Sequence, residues 1–258
     1  MNINRKEERF DYDIEKLGIR IRDADQLKVR EDVFDEVTFL ALYKLVHKKW
    51  ISEIGGSIST GKEANVFYGE RDGTGIAIKI YRIRTANFNT MSAYIVGDRR
   101  FSNVRKNKKD LIFAWTKKEY SNLARARDAG IPVPDPLVWD RNILVMSFIG
   151  KDQRPYPHLR NAEIDNPDRI YQVIIGLINT LYHKAGLVHA DLSEFNILYG
   201  DKPYLIDMGQ SVTLDHPRAL PFLMRDIKNI NRFFAHRCRV QSDPEVFNAV
   251  TGLDKFEP

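Results

Sequence analysis

The run Leu187-Val188-His189-Ala190-Asp191-Leu192-Ser193-Glu194-Phe195-Asn196-Ile197-Leu198, followed by Leu205-Ile206-Asp207, constrains this chain more than any other stretch. It sets Asp191, Asn196 and Asp207 as oxygen-bearing side chains between short apolar runs that read as buried strands. That is how a protein holds a divalent metal and a reacting phosphate on rigid supports. Burying such strands takes a substantial core, and 258 residues with 43% hydrophobic content allow one large domain or two lobes.

Other features narrow the class. The single cysteine, Cys238, excludes a disulfide within the chain and a cysteine-rich zinc site, which fits a reducing compartment. No run approaches the roughly 18 apolar residues of a membrane span, and residues 1–9 lack the apolar core of a signal peptide. A cytoplasmic protein without membrane association is expected. The net charge of +5 permits contact with nucleic acid without demanding it. Its distribution is uneven, because eight Arg and Lys residues lie between Arg82 and Asp110 against only Asp98 and Asp110.

The hydropathy pattern divides the chain. Residues 31–50 read as a helix with Phe34, Val37, Ala41, Tyr43 and Leu45 on its inward stripe. Residues 57–59, 64–68 and 75–81 read as a hairpin ladder turning at Gly61 and at Arg71-Asp72-Gly73, and 137–139 with 143–148 add two strands. These form a small antiparallel sheet. A helix over Asp110 to Ala129 stops at Gly130 and Pro132. Further helices span Asp168 to Lys184, with Ile170, Val173, Ile174, Leu177, Ile178 and Leu181 at helical spacing, and the stretch after Pro217. The front is strand-rich and the back helix-rich, an α+β arrangement divided at the apolar connector Met146 to Gly150.

Gly56-Ser57-Ile58-Ser59-Thr60-Gly61-Lys62 matches the first seven positions of a Walker A loop, but Glu63 stands where a Ser or Thr hydroxyl should reach magnesium. A strand also follows where a P-loop opens a helix. The run therefore reads as a strand-turn-strand phosphate loop or as a plain hairpin turn. Lys79 shares a strand face with Ala77 and Tyr81, opposite Ile76, Ile78 and Ile80, so it either reaches phosphate oxygens or snorkels to solvent. Glu119 lies on a stripe with Trp115, Leu123 and Ala126, which suits a buried partner for Lys79; a surface pair with Lys118 is the alternative. Asp207 fits a main metal ligand, Asn196 a second ligand, and Asp191 the group that orients or deprotonates an attacking hydroxyl. Turn and cap roles are the bland alternative for both acids. His189 is read as a structural hydrogen-bonding residue rather than a base.

These residues resemble a protein kinase catalytic core: His189 to Asn196 is similar to the catalytic loop, with Ala190 where most kinases carry arginine, and Asp207-Met208-Gly209 is similar to the metal-binding Asp-Phe-Gly. The chain resembles most the type 1 branch of the RIO family of atypical serine/threonine kinases, through Ser59 to Phe67, His189 to Leu198 and Ile206 to Val212. That resemblance implies a bilobal kinase-like fold: an N-terminal helical extension over 1–50, an N-lobe of antiparallel sheet and one main helix over 51–148, including a flexible basic loop at 82–110, and a reduced, mainly helical C-lobe over 149–258. Only 51 residues follow Asp207, with no Ala-Pro-Glu, in keeping with a kinase lacking the usual peptide platform.

The resemblance also implies ATP with Mg2+ or Mn2+ as cofactors. Ser59, Thr60, Gly61, Lys62, Glu63, Val66, Lys79, Glu119, Met146, Phe148, Ile149, Asn196 and Ile206 would bind the nucleotide, with Ile80 and Ile197 as nearby apolar surface. Asn196 and Asp207 would bind the metal, and Asp191 and Asp207 would be catalytic, Asp207 through a phospho-aspartate. Ser102 is the implied autophosphorylation site. Small ribosomal subunit precursors, or their rRNA and proteins, are the implied partners, and the oligomeric state stays open. A nucleotide-sensing assembly factor with little turnover and a small-molecule phosphotransferase are the competing expectations.

Overall fold

The computed structural model describes residues 20–21, 35–83, 88–101, 104–105 and 107–253. Its chain contacts group into two compact units, one of residues up to 87 with 136–148, the other of 88–135 with 149 onward. The long helix read from sequence as part of an N-lobe thus groups with the second unit, while the division at 148/149 lies in the apolar connector.

In the first unit, helix α1 (Glu36–His47) starts at Asp35, whose side chain accepts from the Thr38 amide at 2.9 Å. Its buried residues are Thr38, Ala41, Leu42 and Leu45, whereas Tyr43, expected inward, is 47% exposed. A step of one residue from Leu42 carries Tyr43 off the buried face; Phe34 lies outside the described residues. The sheet comprises β1 (Arg20–Ile21), β2 (Glu53–Thr60), β3 (Ala64–Arg71), β4 (Thr74–Tyr81), β5 (Pro136–Asp140) and β6 (Ile143–Ser147), in the order β1-β2-β3-β4-β6-β5. The expected antiparallel ladder forms across β2 to β6, and β1 adds a parallel edge at Glu53 and Ile54.

Positive φ at Asp72 (50°) and Gly73 (77°) makes the tight two-residue turn between β3 and β4 that the sheet twist favours. One sheet face, with Phe67, Ile76, Ile78, Ile80, Ile143 and Val145, packs on Ala41, Leu42 and Leu45 of α1. Buried Asn142 fastens this layer, donating Nδ2 to Thr38 Oγ1 and to the Tyr81 carbonyl, both at 2.8 Å.

The second unit carries α2 (Phe88–Ile95), α3 (Lys108–Asp128), α4 (Pro167–His183), α5 (Ala219–Phe234) and α6 (Asp243–Thr251). Helix α2 lies inside the span read from charge as a loop, and its Met91, Tyr94 and Ile95 are buried. Asn107 and Asn166 cap α3 and α4 by accepting the amides of Asp110 and Arg169. Along α4, Val173 is 38% exposed rather than part of the stripe, and Tyr171 is buried in its place. Helix α6 was not anticipated, although Ser242 and Glu245 form a capping box and Gly252 ends it at φ 70°.

Two short ladders position the region that matters most. β7 (Leu187–Val188) pairs with β10 (Val212–Thr213), and β8 (Ile197–Tyr199) with β9 (Pro203–Leu205). The segments left between them are 189–196 and 206–211. Registers Val188 to Val212 and Ile197 to Leu205 therefore pin both ends of the catalytic-loop sequence against both ends of the Asp207 turn.

Candidate active site

In the second unit, Asn196 donates Nδ2 to the Asp191 carbonyl at 2.7 Å and to Asp191 Oδ2 at 3.0 Å. The Ile206 amide donates to the Asn196 carbonyl at 3.0 Å, and His189 Nε2 lies 3.0 Å from the Ile206 carbonyl. Ile206 so stitches the loop to the turn through its backbone. Asp207, next in sequence, is exposed and takes a left-handed φ of 60°, a conformation aspartate tolerates better than most residues. The structure therefore brings Asp191, Asn196 and the Ile206-Asp207 step together, as the spacing required.

Burial pushes the Asp191 carboxyl above its ordinary range, against the lowering effects of Arg225 and the Asn196 bond, which suits a group that takes up a proton. Burial holds the His189 imidazole down at about 4, so its Nε2 donates to the Ile206 carbonyl as the neutral ring. That is the structural role read from sequence.

In the first unit, the 59–63 turn joins β2 to β3 with no helix following, which disposes of a true P-loop. The Gly61 amide donates to the Ala64 carbonyl at 2.9 Å and the Arg82 amide to the Glu63 carbonyl at 2.9 Å. Ser59, Thr60, Gly61 and Lys62 are exposed; Glu63 and Val66 are half-buried. Lys79 faces Val66 on β3 and Leu144 on β6, so the three share a sheet face, and Ala77 faces Met146 there. Lys79 is 7% exposed, with its ammonium 5.2 Å from the Tyr81 ring centroid. The Phe148 amide donates to the Gly75 carbonyl at 3.3 Å, and its ring meets Tyr68 edge-on at 5.1 Å. Ile80 is no candidate for a nucleotide surface: alternation turns it onto the α1 core. Ile197 is likewise fully buried.

Glu119 and Ile149 belong to the second unit. Glu119 is 1% exposed on α3, so an inward stripe of Trp115, Glu119, Leu123 and Ala126 is observed. Ser102 lies outside the described residues.

A RIO-domain family model matches residues 65–246. The chain belongs to the RIO family. It is 43% identical over 246 residues to the RIO-type serine/threonine-protein kinase Rio1 of Haloferax volcanii, covering 95% of this chain and 84% of that one. It is 41% identical over 239 residues to human serine/threonine-protein kinase RIO1, covering 90% of this chain but 42% of the human one. The Rio2 kinase of Chaetomium thermophilum, solved as an ADP/Mg2+-phosphoaspartate complex, is similar in fold with a TM-score of 0.65 at 25% identity over 85% of this chain and 67% of that one. Kinase activity comes with this membership, and the Rio2 structure holds ADP and Mg2+.

The donor set of this RIO chain fits such a metal. Asn196 commits its Nδ2 to Asp191, and its side-chain oxygen Oδ1 accepts no hydrogen bond among the described residues. With the Asp207 carboxylate it offers the hard oxygens that magnesium prefers. No group of three His, Cys, Asp or Glu side chains is placed to hold a metal among the described residues, so phosphate and water oxygens would complete the shell.

Sequence reasoning missed the residues that hold this RIO core in shape. Asp226 on α5, fully buried, accepts the Ala190 amide and the Leu192 amide, both at 2.8 Å, and Arg225 donates to the Ala190 carbonyl. These bonds fix Ala190 at φ 65°, a conformation that costs an alanine roughly 1–2 kcal/mol. On the other side, Lys118 of α3 is buried and donates to the Gly209 carbonyl at 2.9 Å and to the Ser211 carbonyl. Asn122, one turn on, donates to the Met208 and Ser211 carbonyls at 2.8 and 2.9 Å. Burial brings the Lys118 ammonium down to about 7, and the neutral amine keeps two N–H donors for its two carbonyls. A surface pairing of Lys118 with Glu119 is thereby excluded. A signal was available, since Asp226 stands three residues after Leu223 and four before Ile230, inside an apolar stripe.

Proposed function

We propose that this chain is an ATP- and magnesium-dependent serine/threonine protein kinase that phosphorylates itself at Ser102, also hydrolyses ATP, and works on small ribosomal subunit precursors in the cytoplasm. In this reading Asp191 orients the attacking hydroxyl and accepts its proton, and Asn196 and Asp207 hold the metal. A bound metal would neutralise charge developing on the transferred phosphoryl group. Lys79, steadied by Glu119, serves the phosphates of the same nucleotide together with the amides of the Ser59 to Glu63 turn and Val66. Met146, Phe148 and Ile149 offer backbone and apolar surface to the base, alongside Ile206.

The observation that carries the reading is the bonding of Asn196 to Asp191 beside the left-handed Asp207 turn. It sets a half-buried carboxylate with a raised proton affinity next to two hard-oxygen donors. Phosphate release, with and without small-subunit precursor, tests it against a nucleotide switch. Turnover that rises with precursor and vanishes in Asp207→Asn is expected; background release equal in both proteins supports the switch. Transfer to a free hydroxylated metabolite in preference to protein would instead support a small-molecule phosphotransferase.

A further inference from the structure

Away from the catalytic loop, the second unit has an open concavity of about 400 Å3 lined in part by Arg99, Arg100, Arg125, Gly186, Thr213 and Asp215. Its charges are unequally compensated. Arg100 is tied to fully buried Asp98 by two bonds, Nε to Oδ1 at 2.9 Å and Nη2 to Oδ2 at 2.7 Å. Arg99 lies 3.4 Å from Asp215, with both side chains well solvated. The Arg125 guanidinium, which lines the same wall, makes no hydrogen bond or ion pair among the described residues. It is an exposed cation whose proton affinity is lowered by partial desolvation and by the Arg100 charge, against the raising effects of Asp98 and Asp215.

The backbone makes room for it. Gly186 has φ 62°, and a Cβ there would come within 2.9 Å of Arg125 Nη2. Glycine takes this left-handed turn without strain, and the end of the Arg125 side chain lies over it. An adjoining concavity of about 510 Å3 shares Arg125 and adds Lys184, whose ammonium also has no ion pair among the described residues. The acid there, Asp128, is held by Arg127 at 2.8 Å. Each carboxylate around the two hollows therefore has an arginine of its own, and Arg125 and Lys184 are left over.

A guanidinium carries five N–H donors in a planar fork that matches the oxygens of a phosphate group. We propose that this concavity is a phosphate-recognition site, with Arg125 as its central donor and Arg99 and Lys184 as flanking charges. The ligand chemistry is a phosphate group, supplied either free as inorganic phosphate or as the backbone of a polynucleotide. The site is separate from the Asp191 and Asp207 machinery and does not depend on that assignment.

The test uses the full chain, with inorganic phosphate titrated by calorimetry and a 20-nucleotide RNA followed by fluorescence anisotropy across a salt series. Arg125→Gln should weaken the bound species about tenfold, and Lys184→Gln about threefold, while ATP turnover stays at the wild-type rate. Lys228→Gln, which removes an exposed charge from α5, should change neither. If RNA is the source, Arg125→Gln also lowers the slope of log affinity against log salt by about one. If only inorganic phosphate responds to Arg125→Gln, the site takes the small anion. Binding of both probes unaltered by Arg125→Gln and Lys184→Gln, or weakened equally by Lys228→Gln, overturns the proposal. Melting temperatures of the variants confirm that folded protein is compared, and Lys184→Gln alone decides the outcome if Arg125→Gln unfolds.

Discussion

The Ser59 to Glu63 turn and the His189 to Asn196 loop are both expected at the nucleotide, yet they are held in opposite ways. The turn is largely exposed and closed by backbone bonds, Gly61 to Ala64 and Arg82 to Glu63, with Ser57 Oγ also reaching the Ser59 carbonyl at 3.4 Å and Thr60 Oγ1 at 3.2 Å. The loop is anchored from beneath by buried side chains: Asp226 takes two amides, Arg225 a carbonyl, and Lys118 and Asn122 grip the neighbouring Asp207 turn. The contrast fits what each is proposed to do. A cover over phosphates works through amides that any local rearrangement can re-aim, whereas a metal ligand and a base must stay within about 0.5 Å of one geometry.

The comparison breaks first at its chemical centre. Replacing Asp191 by alanine should cost about 10²- to 10⁴-fold in kcat with little change in melting temperature, as read by phosphate release beside a thermal scan. Next comes the support. Asp226→Ala leaves two buried amides unpaired and frees strained Ala190, so denaturant unfolding should show a loss of roughly 2–4 kcal/mol together with falling turnover. If Asp226→Ala unfolds like wild type, side-chain anchoring is not what holds the loop.

Lys118→Met, which keeps the length of the side chain and removes its donors, should weaken the apparent metal affinity about 10- to 100-fold while the ATP KM stays near its original value. A change in ATP KM alone would place the effect elsewhere. The same lysine predicts a pH signature. Its value falls from 10.5 to about 7 on folding, so between those limits the unfolded chain binds the extra proton and stability rises with pH. That contribution is complete above pH 10.5 and lost by pH 7. Lys118→Met should flatten this part of the stability profile, and a profile unchanged by the substitution would show that the amine is not desolvated. The smallest effect belongs to the turn: at Gly61 an added Cβ would meet only the Ala64 carbonyl, at 3.0 Å, so Gly61→Ala should raise the ATP KM a few-fold and shift stability by less than about 1 kcal/mol.

The sequence disclosed the parts of the molecule that rest on periodicity. Alternation along β4 separated Lys79 from the Ile76, Ile78 and Ile80 face that packs on α1, and the spacing from Asp191 to Asp207 brought the loop and turn together. It did not disclose what depends on distant partners. Lys118 looked like a surface cation because only the folded chain shows the Gly209 and Ser211 carbonyls, 91 and 93 residues away, that make its burial tolerable. Helix α2 was hidden by its surroundings, since dense charge on either side masked the buried Met91, Tyr94 and Ile95. Ile80 was assigned to a nucleotide surface against the same alternation that correctly placed Lys79.

In the proposed reading, phosphoryl transfer depends on a metal held by the anchored Asp207 turn. Asp207→Asn tests it most directly, because asparagine also tolerates the left-handed backbone and differs only in charge and one donor. Mn2+ is titrated into the full chain with ATP, and free Mn2+ is followed by electron paramagnetic resonance. At least about a tenfold loss of Mn2+ affinity is expected in Asp207→Asn at an unchanged melting temperature. Equal Mn2+ affinity in the two proteins would contradict it.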